Sequence, residues 1–168
     1  MYKAIEIANH VLLHCKNDLD CSINNLYLQR LLYFLKIRYL IKEGKILFSD
    51  EIKAVDYGIL IHEVDSEYKK YGLSGIPYSE SLQESVNYIY KSDQLLINYF
   101  LKDLLQYSSV KLLDIILNQE PWRRAYCSNN YKWTYVKAQQ SDGSCVRYPK
   151  AIKNNIITDE SLCEYFLE

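Results

Sequence analysis

The sequence predicts a mainly α-helical fold with minor short strands, built around one central buried helix at about residues 24–43. Apolar residues recur at spacings of three and four in several segments, which is the period of a helix with one buried face. Serine, threonine and glycine stand where those segments begin and end, as helix caps do. The chain shows no internal repeat or linker-like tract, so we expect residues 1–168 to form a single compact domain.

The first two predicted helices differ in how much of their circumference is apolar. The first covers residues 2–16, and its single apolar face consists of Ala4, Ile5, Ala8, Val11, Leu12 and Cys15. The second runs from about Asn24 to Glu43, and its two apolar faces consist of Leu28, Leu31, Leu32, Leu35 and Tyr39, and of Tyr27, Phe34 and Ile41. A helix with two apolar faces packs against neighbours on at least two sides. Gly44 is placed to end this helix in a left-handed conformation.

The polar residues of the second helix also follow a pattern. A line along the helix is formed by Asn25, Gln29, Lys36 and Glu43, and a separate cluster by Arg38 and Lys42. We interpret the line as the border of a groove that accepts a segment of a partner.

The middle of the chain gives weaker signals. Residues 46–61 alternate imperfectly between strand and helix patterns and are predicted to be a short extended or irregular linker. A helix is predicted from His62 to Tyr71, because Gly72 follows it, and the composition of residues 73–78 predicts a turn. Ser92 is predicted to cap a helix with buried positions at Leu96, Tyr99, Phe100, Leu104 and Tyr107.

Further caps divide the remainder of the chain. Ser108 or Ser109 is predicted to cap a helix that contains Leu112, Leu113, Ile116 and Leu117. Pro121 suits the first turn of a short helix beginning at Trp122. Asp142-Gly143 predicts a turn, and Thr158 is predicted to cap a last helix with Leu162, Tyr165 and Phe166.

Composition and charge narrow the class of protein. Apolar residues make up 49% and charged residues 24%, which is an ordinary balance for a globular protein. A net charge of -1 argues against a broad electrostatic grip on nucleic acid or anionic membranes. The five cysteines include no Cys-x-x-Cys pair, so we expect reduced thiols in a cytoplasmic protein. No segment approaches the roughly 20 apolar residues that a membrane-spanning helix needs.

The common signatures of enzymes are missing from the sequence. It contains no glycine-rich phosphate loop, no Gly-x-Ser-x-Gly and no His-Glu-x-x-His, so we predict no catalytic residue and no cofactor. His10 and His14 stand one helical turn apart, as two metal ligands would, with His62 as a third candidate. No carboxylate or thiolate partner is evident for them. The sequence therefore favours ordinary histidines on an amphipathic helix, and we predict no metal site.

A late segment interleaves cations with aromatic rings, namely Trp122, Arg123, Arg124, Tyr131, Lys132, Trp133 and Tyr135. This composition can anchor a protein partner or stack single-stranded bases, and the tryptophans can equally be core residues with exposed arginine neighbours. A core role and a protein-interface role for this segment are about equally favoured. Binding of nucleic acid ranks behind both, because the chain is not basic overall. Seventeen tyrosines modestly favour a binding protein.

Short motifs in a fixed order resemble the Panacea domain family, also called SocA-like antitoxins, which includes phage-associated GepA-like proteins. The matching segments are Leu28-Gln29-Arg30-Leu31-Leu32-Tyr33, Phe48 to Ala54 with Tyr57-Gly58, Pro121-Trp122 and the closing helix after Ile157. The resemblance therefore covers nearly the whole chain. Two positions depart from the family. Ile59-Leu60 follows Gly58 where the family prefers Pro-Val, and residues 117–120 lack the histidine often found before Pro-Trp.

The resemblance implies a helical antitoxin that neutralises a toxin protein encoded next to it, in a bacterium or its prophage. Neutralisation proceeds either by direct complex formation or by presenting the toxin to a cellular protease. Such a role needs a binding surface rather than a reactive group, in agreement with the missing enzyme signatures. We predict toxin contacts at Gln29, Lys36, Tyr57 and Arg123.

Two other classes of function stay open at this stage. The first is a nucleic-acid-binding regulator that uses Trp122 to Tyr135, and the second is a metal-dependent enzyme that uses the three histidines.

Overall fold

The computed structural model describes residues 1–17, 19, 21–77, 79, 82, 86–127, 131–139, 145–153 and 155–167, with the backbone alone described for 131–139 and 145–153. Helices dominate this part of the chain, in agreement with the predicted mainly α-helical fold. The α-helices are α1 (Ala4–Asn17), α2 (Asn25–Glu43), α3 (His62–Tyr68), α4 (Lys91–Leu104), α5 (Ser109–Asn118), α6 (Glu120–Cys127) and α7 (Asp159–Leu167). A 3-10 helix, Lys69–Tyr71, continues α3.

The strands form two separate antiparallel sheets. They are β1 (Ile52–Val55), β2 (Gly58–Ile61), β3 (Tyr131–Gln139), β4 (Cys145–Lys153) and β5 (Ile156–Ile157). The order β2-β1-β5 makes a small three-stranded sheet, in which Ile52 pairs with both Ile61 and Ile157. Strands β3 and β4 pair with each other from Tyr131–Lys153 to Gln139–Cys145. The predicted turn at Asp142-Gly143 lies outside the described residues.

Helix α2 is the centre of the fold, as the sequence predicts. It packs against α1, α3, α4, α5, α7 and β2. Leu31, Leu32 and Leu35 are fully buried, and burial continues around the circumference to the polar residues. The prediction is wrong for Ile41, which is 53% exposed because the last turn of α2 extends beyond its neighbours.

The ends of α2 follow the expected capping chemistry. The side chain of Asn24 accepts a hydrogen bond from the Tyr27 amide at 2.9 Å, which satisfies one of the free N–H groups of the first turn. At the other end, Gly44 adopts a φ of 64° and its N–H donates to the Leu40 carbonyl at 2.8 Å. This left-handed residue ends the helix, as predicted.

The predicted linker at residues 46–61 needs correction. Much of it is extended, as predicted, but β1 and β2 form a hairpin with buried residues Ile52, Ala54, Ile59 and Ile61, so this segment is part of the core rather than a connection. Their four-residue strands are too short to give a clear alternating pattern.

Helix α4 agrees only in part with its predicted buried face. Phe100 and Leu104 are buried and Leu96 packs against the core, as predicted, together with buried Ile97 and Leu101. The prediction is wrong for Tyr99 and Tyr107, which are exposed, and for the N-cap, which is Tyr90 rather than Ser92. Asp93 accepts hydrogen bonds from the hydroxyls of Tyr2 and Tyr39 and so connects the start of α4 to α2.

The remaining caps agree with the sequence. Ser108 caps α5 by accepting from the Lys111 amide at 3.1 Å, and Thr158 caps α7 by accepting from the Ser161 amide at 3.1 Å. The predicted helix near Trp122 begins two residues earlier, at Glu120.

Candidate functional site

The turn between β1 and β2 is held in place by a buried arginine of the central helix. Arg30 Nη1 donates to the carbonyl of Ser109 at 2.9 Å and to its hydroxyl at 2.6 Å, while Nη2 donates to the Tyr57 carbonyl at 3.3 Å. Burial lowers the pKa of Arg30 from its usual value, because the charged guanidinium loses water contacts. The planar fork of donors fixes the turn and the start of α5 relative to α2.

A tryptophan holds the other side of the same turn. The indole Nε1 of Trp122 donates to the Gly58 carbonyl, and its ring stacks on Tyr126 with 4.5 Å between centroids. The hydroxyl of Tyr126 donates in turn to Asp56 Oδ1 at 2.7 Å. Trp122 is buried, so the structure places this residue in the core rather than on an open stacking surface.

Only glycine fits at position 58 without a change in its surroundings. Its φ of 116° is unfavourable for any side chain, and an added Cβ would lie 2.8 Å from the Cδ1 atom of Leu113. The turn is therefore clamped between α5 and α6.

Three exposed apolar side chains lie in the turn or in the residues that flank Ser109, and we call them the turn surface: Tyr57, Tyr107 and Val110. Tyr57 is 47% exposed and Val110 is 73% exposed, although Arg30 holds the carbonyl of Tyr57 and the Ser109 that precedes Val110. The carbonyl of Tyr107 accepts from the Tyr27 hydroxyl at 2.7 Å, which ties it to the same side of α2. The turn surface is thus exposed and rigidly supported.

Gln29, a predicted toxin contact, lies inside the fold. It is 2% exposed, and its Oε1 accepts from the Ile61 amide at 2.9 Å. Its Nε2 donates to the Ile61 carbonyl and to Asn25 Oδ1, both at 3.4 Å. Asn25 also donates to Asp65 Oδ1 at 2.8 Å. These bonds join α2 to the end of β2 and to α3.

Lys36 is also buried, at 2% exposure. Its Nζ lies 2.6 Å from Asp159 Oδ1 and 4.8 Å from the centre of the Phe48 ring. The inner part of the predicted polar line therefore faces neighbouring elements rather than an open groove. A direct contact of Gln29 or Lys36 with a toxin stays a prediction.

Arg123 is exposed and lies on α6, next to the end of α5. Its Nε donates to the Leu117 carbonyl at 3.3 Å and its Nη2 to Asn118 Oδ1 at 3.2 Å. Of the four predicted contacts, Tyr57 and Arg123 are the two that the fold leaves at the surface. The side chains of Tyr131, Lys132, Trp133 and Tyr135, from the aromatic and cationic segment, lie outside the described residues.

The three histidines are distributed over two helices. His10 Nε2 is hydrogen-bonded to Asn98 Oδ1 at 2.8 Å, and the rings of His10 and His14 are stacked with 6.4 Å between centroids. His62 is exposed at the start of α3. Among the residues whose positions are described, no three His, Cys, Asp or Glu side chains are grouped as metal ligands.

The family model for the antitoxin SocA-like Panacea domain matches residues 28–123, more than half of the chain. The chain belongs to this family. In this Panacea domain, the matched range contains Arg30, Tyr57, Gly58 and Trp122, which meet at the clamped turn. No curated protein and no solved structure is significantly similar to the chain.

The two departures from the Panacea pattern have local structural roles. Ile59, at the position where the family prefers proline, is buried in β2 and pairs with Ala54. In the segment that lacks the histidine, Gln119 Oε1 accepts from the Tyr33 hydroxyl at 2.7 Å. Both positions thus contribute to packing in this chain.

The sequence does not single out Arg30 or Val110 as part of a site, and its periodicity predicts that Tyr107 is buried rather than exposed. Arg30 is the one of these that the sequence could have identified. A cation surrounded by apolar neighbours on an all-round apolar helix is the signal that could have identified it, since such a charge requires buried partners. In the described part of the chain, no helix is long enough and apolar enough to span a membrane.

Proposed function

We propose that this protein is an antitoxin that neutralises a cognate toxin protein by direct binding, without catalysis, in the cytoplasm of a bacterium or of a cell carrying its prophage. Membership of the antitoxin SocA-like family supports a toxin partner in general. The toxin is expected to be encoded by a neighbouring gene. We further propose that residues 1–168 act as one unit.

The turn surface is the proposed contact region, together with the exposed Arg123. One observation carries this assignment: three separate segments that resemble the family, around Arg30, Tyr57-Gly58 and Trp122, converge on a single turn. Hydrogen bonds from the interior of the fold fix the turn. The exposed side chains of Tyr57 and Val110 therefore lose little additional conformational freedom when the toxin binds. Tyrosine is also well suited to protein interfaces, because it offers a large ring with few rotatable bonds.

Gln29 and Lys36 support the proposed surface from inside the fold. Gln29 holds the strand that follows the turn, through the Ile61 amide and carbonyl. Lys36 holds α7 through Asp159. Neither needs to touch the toxin to affect neutralisation, since Gln29 positions the strand after the turn and Lys36 positions α7, which packs against α6.

Co-expression with the neighbouring gene tests the proposal. The product of that gene should arrest growth alone, and co-expression of this chain should relieve the arrest and yield a complex on purification. Tyr57→Ala should weaken both the rescue and the recovery of the complex, whereas Tyr99→Ala, which changes a still more exposed tyrosine on α4, should leave both unchanged. If no neighbour-encoded protein binds or is neutralised, the antitoxin proposal is wrong.

Recovery of the toxin in the complex also separates the two routes of neutralisation. Direct binding predicts a stable complex with undiminished toxin. Presentation to a protease predicts that toxin levels fall when this chain is co-expressed, and that they recover in cells lacking the protease.

A further inference from the structure

Two cysteines lie next to each other where α1 ends and the connection to α2 begins. Cys15 is in the last turn of α1 and is fully buried, while Cys21 is half-buried. The amide of Cys21 donates to the Cys15 carbonyl at 3.0 Å, which also satisfies one of the free carbonyls at the helix end. Both cysteines are free thiols in the structure.

The backbone contact between the two residues is compatible with a disulfide. With a Cys21 amide to Cys15 carbonyl distance of 3.0 Å, standard backbone bond lengths hold the two Cα atoms within roughly 7 Å of each other. Disulfide-bonded cysteines have Cα atoms roughly 4.4–6.8 Å apart. Bond formation therefore requires no large displacement of the backbone.

The pair also faces a space that a small reagent can enter. Cys15 and Cys21 line a cleft of about 260 Å³ together with Lys16, Gly75 and Pro77. The segment across the cleft is tied to the start of α2, because the Ile76 amide donates to the Ile23 carbonyl at 2.9 Å. The partial exposure of Cys21 makes its thiol the accessible member of the pair.

The two thiols differ in chemical character. Burial raises the pKa of Cys15 well above its usual value, and the charge of a Cys21 thiolate and the hydrogen bond between the two groups raise it further. The more exposed Cys21 is the thiol that a small disulfide meets first, whereas the buried Cys15 can react only with a partner already held beside it. This difference in access suits an attacking and a resolving cysteine.

We propose that Cys15 and Cys21 form a thiol–disulfide exchange site that takes small disulfides of the glutathione type. The Cys21 thiolate attacks one sulfur of the small disulfide, whose S–S bond breaks and releases one thiol. Cys15 then loses its proton and attacks the Cys21 sulfur of the mixed disulfide, which releases the second thiol. The two protein thiols are oxidised to one disulfide, the reagent is reduced to two thiols, and the two protein protons end on those products.

The resulting bond would link the end of α1 to the residues that lead into α2. A disulfide that closes a loop stabilises the fold mainly by restricting the unfolded chain. Because a reducing cytoplasm keeps such pairs as thiols, the oxidised form would appear only when the pool of small disulfides rises. This site is independent of the proposed antitoxin function.

Peptide mapping of the full chain after incubation in glutathione buffers tests the proposal. The native protein is equilibrated at increasing ratios of oxidised to reduced glutathione, its free thiols are alkylated, and it is digested with trypsin. Trypsin cleaves after Lys16, between the two cysteines, so residues 4–16 and 17–30 stay joined only by a Cys15–Cys21 bond. The joined peptide should grow with the oxidised fraction and disappear on reduction.

Two variants serve as controls in the same experiment. Cys21→Ser should abolish the joined peptide, and Cys127→Ser, which removes an exposed thiol elsewhere, should leave it unchanged. Oxidation should also raise the unfolding temperature of the wild type and of Cys127→Ser but not that of Cys21→Ser. The proposal is overturned if Cys15 stays open to alkylation at every ratio while Cys127 carries glutathione, or if Cys15 pairs with another cysteine.

Discussion

Lys36 Nζ and Asp159 Oδ1 lie 2.6 Å apart and connect the central helix to the last helix of the chain. The two partners differ in their access to water, since the lysine side chain is 2% exposed and the aspartate side chain 40%. Removal of Asp159 and removal of Lys36 should therefore change the free energy of unfolding by different amounts.

Asp159→Asn should destabilise the fold more than Lys36→Met. The first change leaves a buried ammonium without its carboxylate and should cost about 2 kcal/mol, less than for a fully buried pair because water reaches Asp159. The second keeps an apolar stem and leaves Asp159 in the first turn of α7, where a negative charge is favourable, at a cost below about 1 kcal/mol. Urea unfolding of both variants measures the difference, and the reverse order would contradict the assigned burial.

Gly58→Ala should destabilise the clamped turn. The φ of 116° is the main cost, and the contact of 2.8 Å with Leu113 Cδ1 adds less because that side chain end can move, so we expect a loss of about 2–3 kcal/mol. Gly44→Ala is the matched control, because Gly44 has a φ of 64° but nothing within 4 Å of its added Cβ. The control should cost about 1 kcal/mol from backbone conformation alone. Equal losses in urea unfolding would show that position 58 has room for a side chain.

Stability should fall as the pH rises above 10. Burial is the first cause that raises the pKa of Tyr39 to about 12 from 10.0, followed by the charge of Asp93 and its hydrogen bond, and burial also raises the pKa values of Tyr33 and Tyr68. Between the two pKa values the unfolded chain has lost a proton that the folded chain retains. The stabilising contribution is therefore complete below pH 10 and declines above it.

Urea unfolding at successive alkaline pH values measures this decline. Each tyrosine that ionises only in the unfolded chain should contribute a slope of about 1.4 kcal/mol per pH unit. Tyr33→Phe removes one such group, so its curve should be shallower than that of the wild type. A stability that stays constant or increases above pH 10 would contradict the burial of these hydroxyls.

The sequence predicts those parts of the fold that depend on local patterns. The all-round apolar character of α2, its left-handed end at Gly44 and the caps at Ser108 and Thr158 are each visible within a few residues. The buried face of α4, by contrast, does not depend on neighbouring residues in the sequence alone. Periodicity correctly places Phe100 and Leu104 in the core but not Tyr99, because its exposure depends on how α4 docks, through contacts such as those of Asp93 with the hydroxyls of Tyr2 and Tyr39, which are distant in sequence.

The candidate site depends almost entirely on distant partners. Arg30 contacts the hairpin turn and the start of α5, and Trp122 reaches the carbonyl of Gly58. No pattern of neighbouring residues in the sequence predicts these contacts. A line of polar residues along a helix also looks the same in the sequence whether it borders an open groove or faces the interior. Gln29 and Lys36 belong to such a line, and both side chains are bonded to groups inside the fold.

The most direct test of the account is the dissociation constant of the complex with the neighbour-encoded toxin, measured by titration calorimetry for two folded variants. Val110→Asp places a charge on the turn surface, and Leu95→Asp places one on α4 at a position of similar exposure, 65% against 73%. We predict that Val110→Asp weakens binding by about 2 kcal/mol or more, roughly 30-fold, and that Leu95→Asp changes it less than about twofold. Unchanged binding by Val110→Asp together with a loss in Leu95→Asp would contradict the assignment of the turn surface.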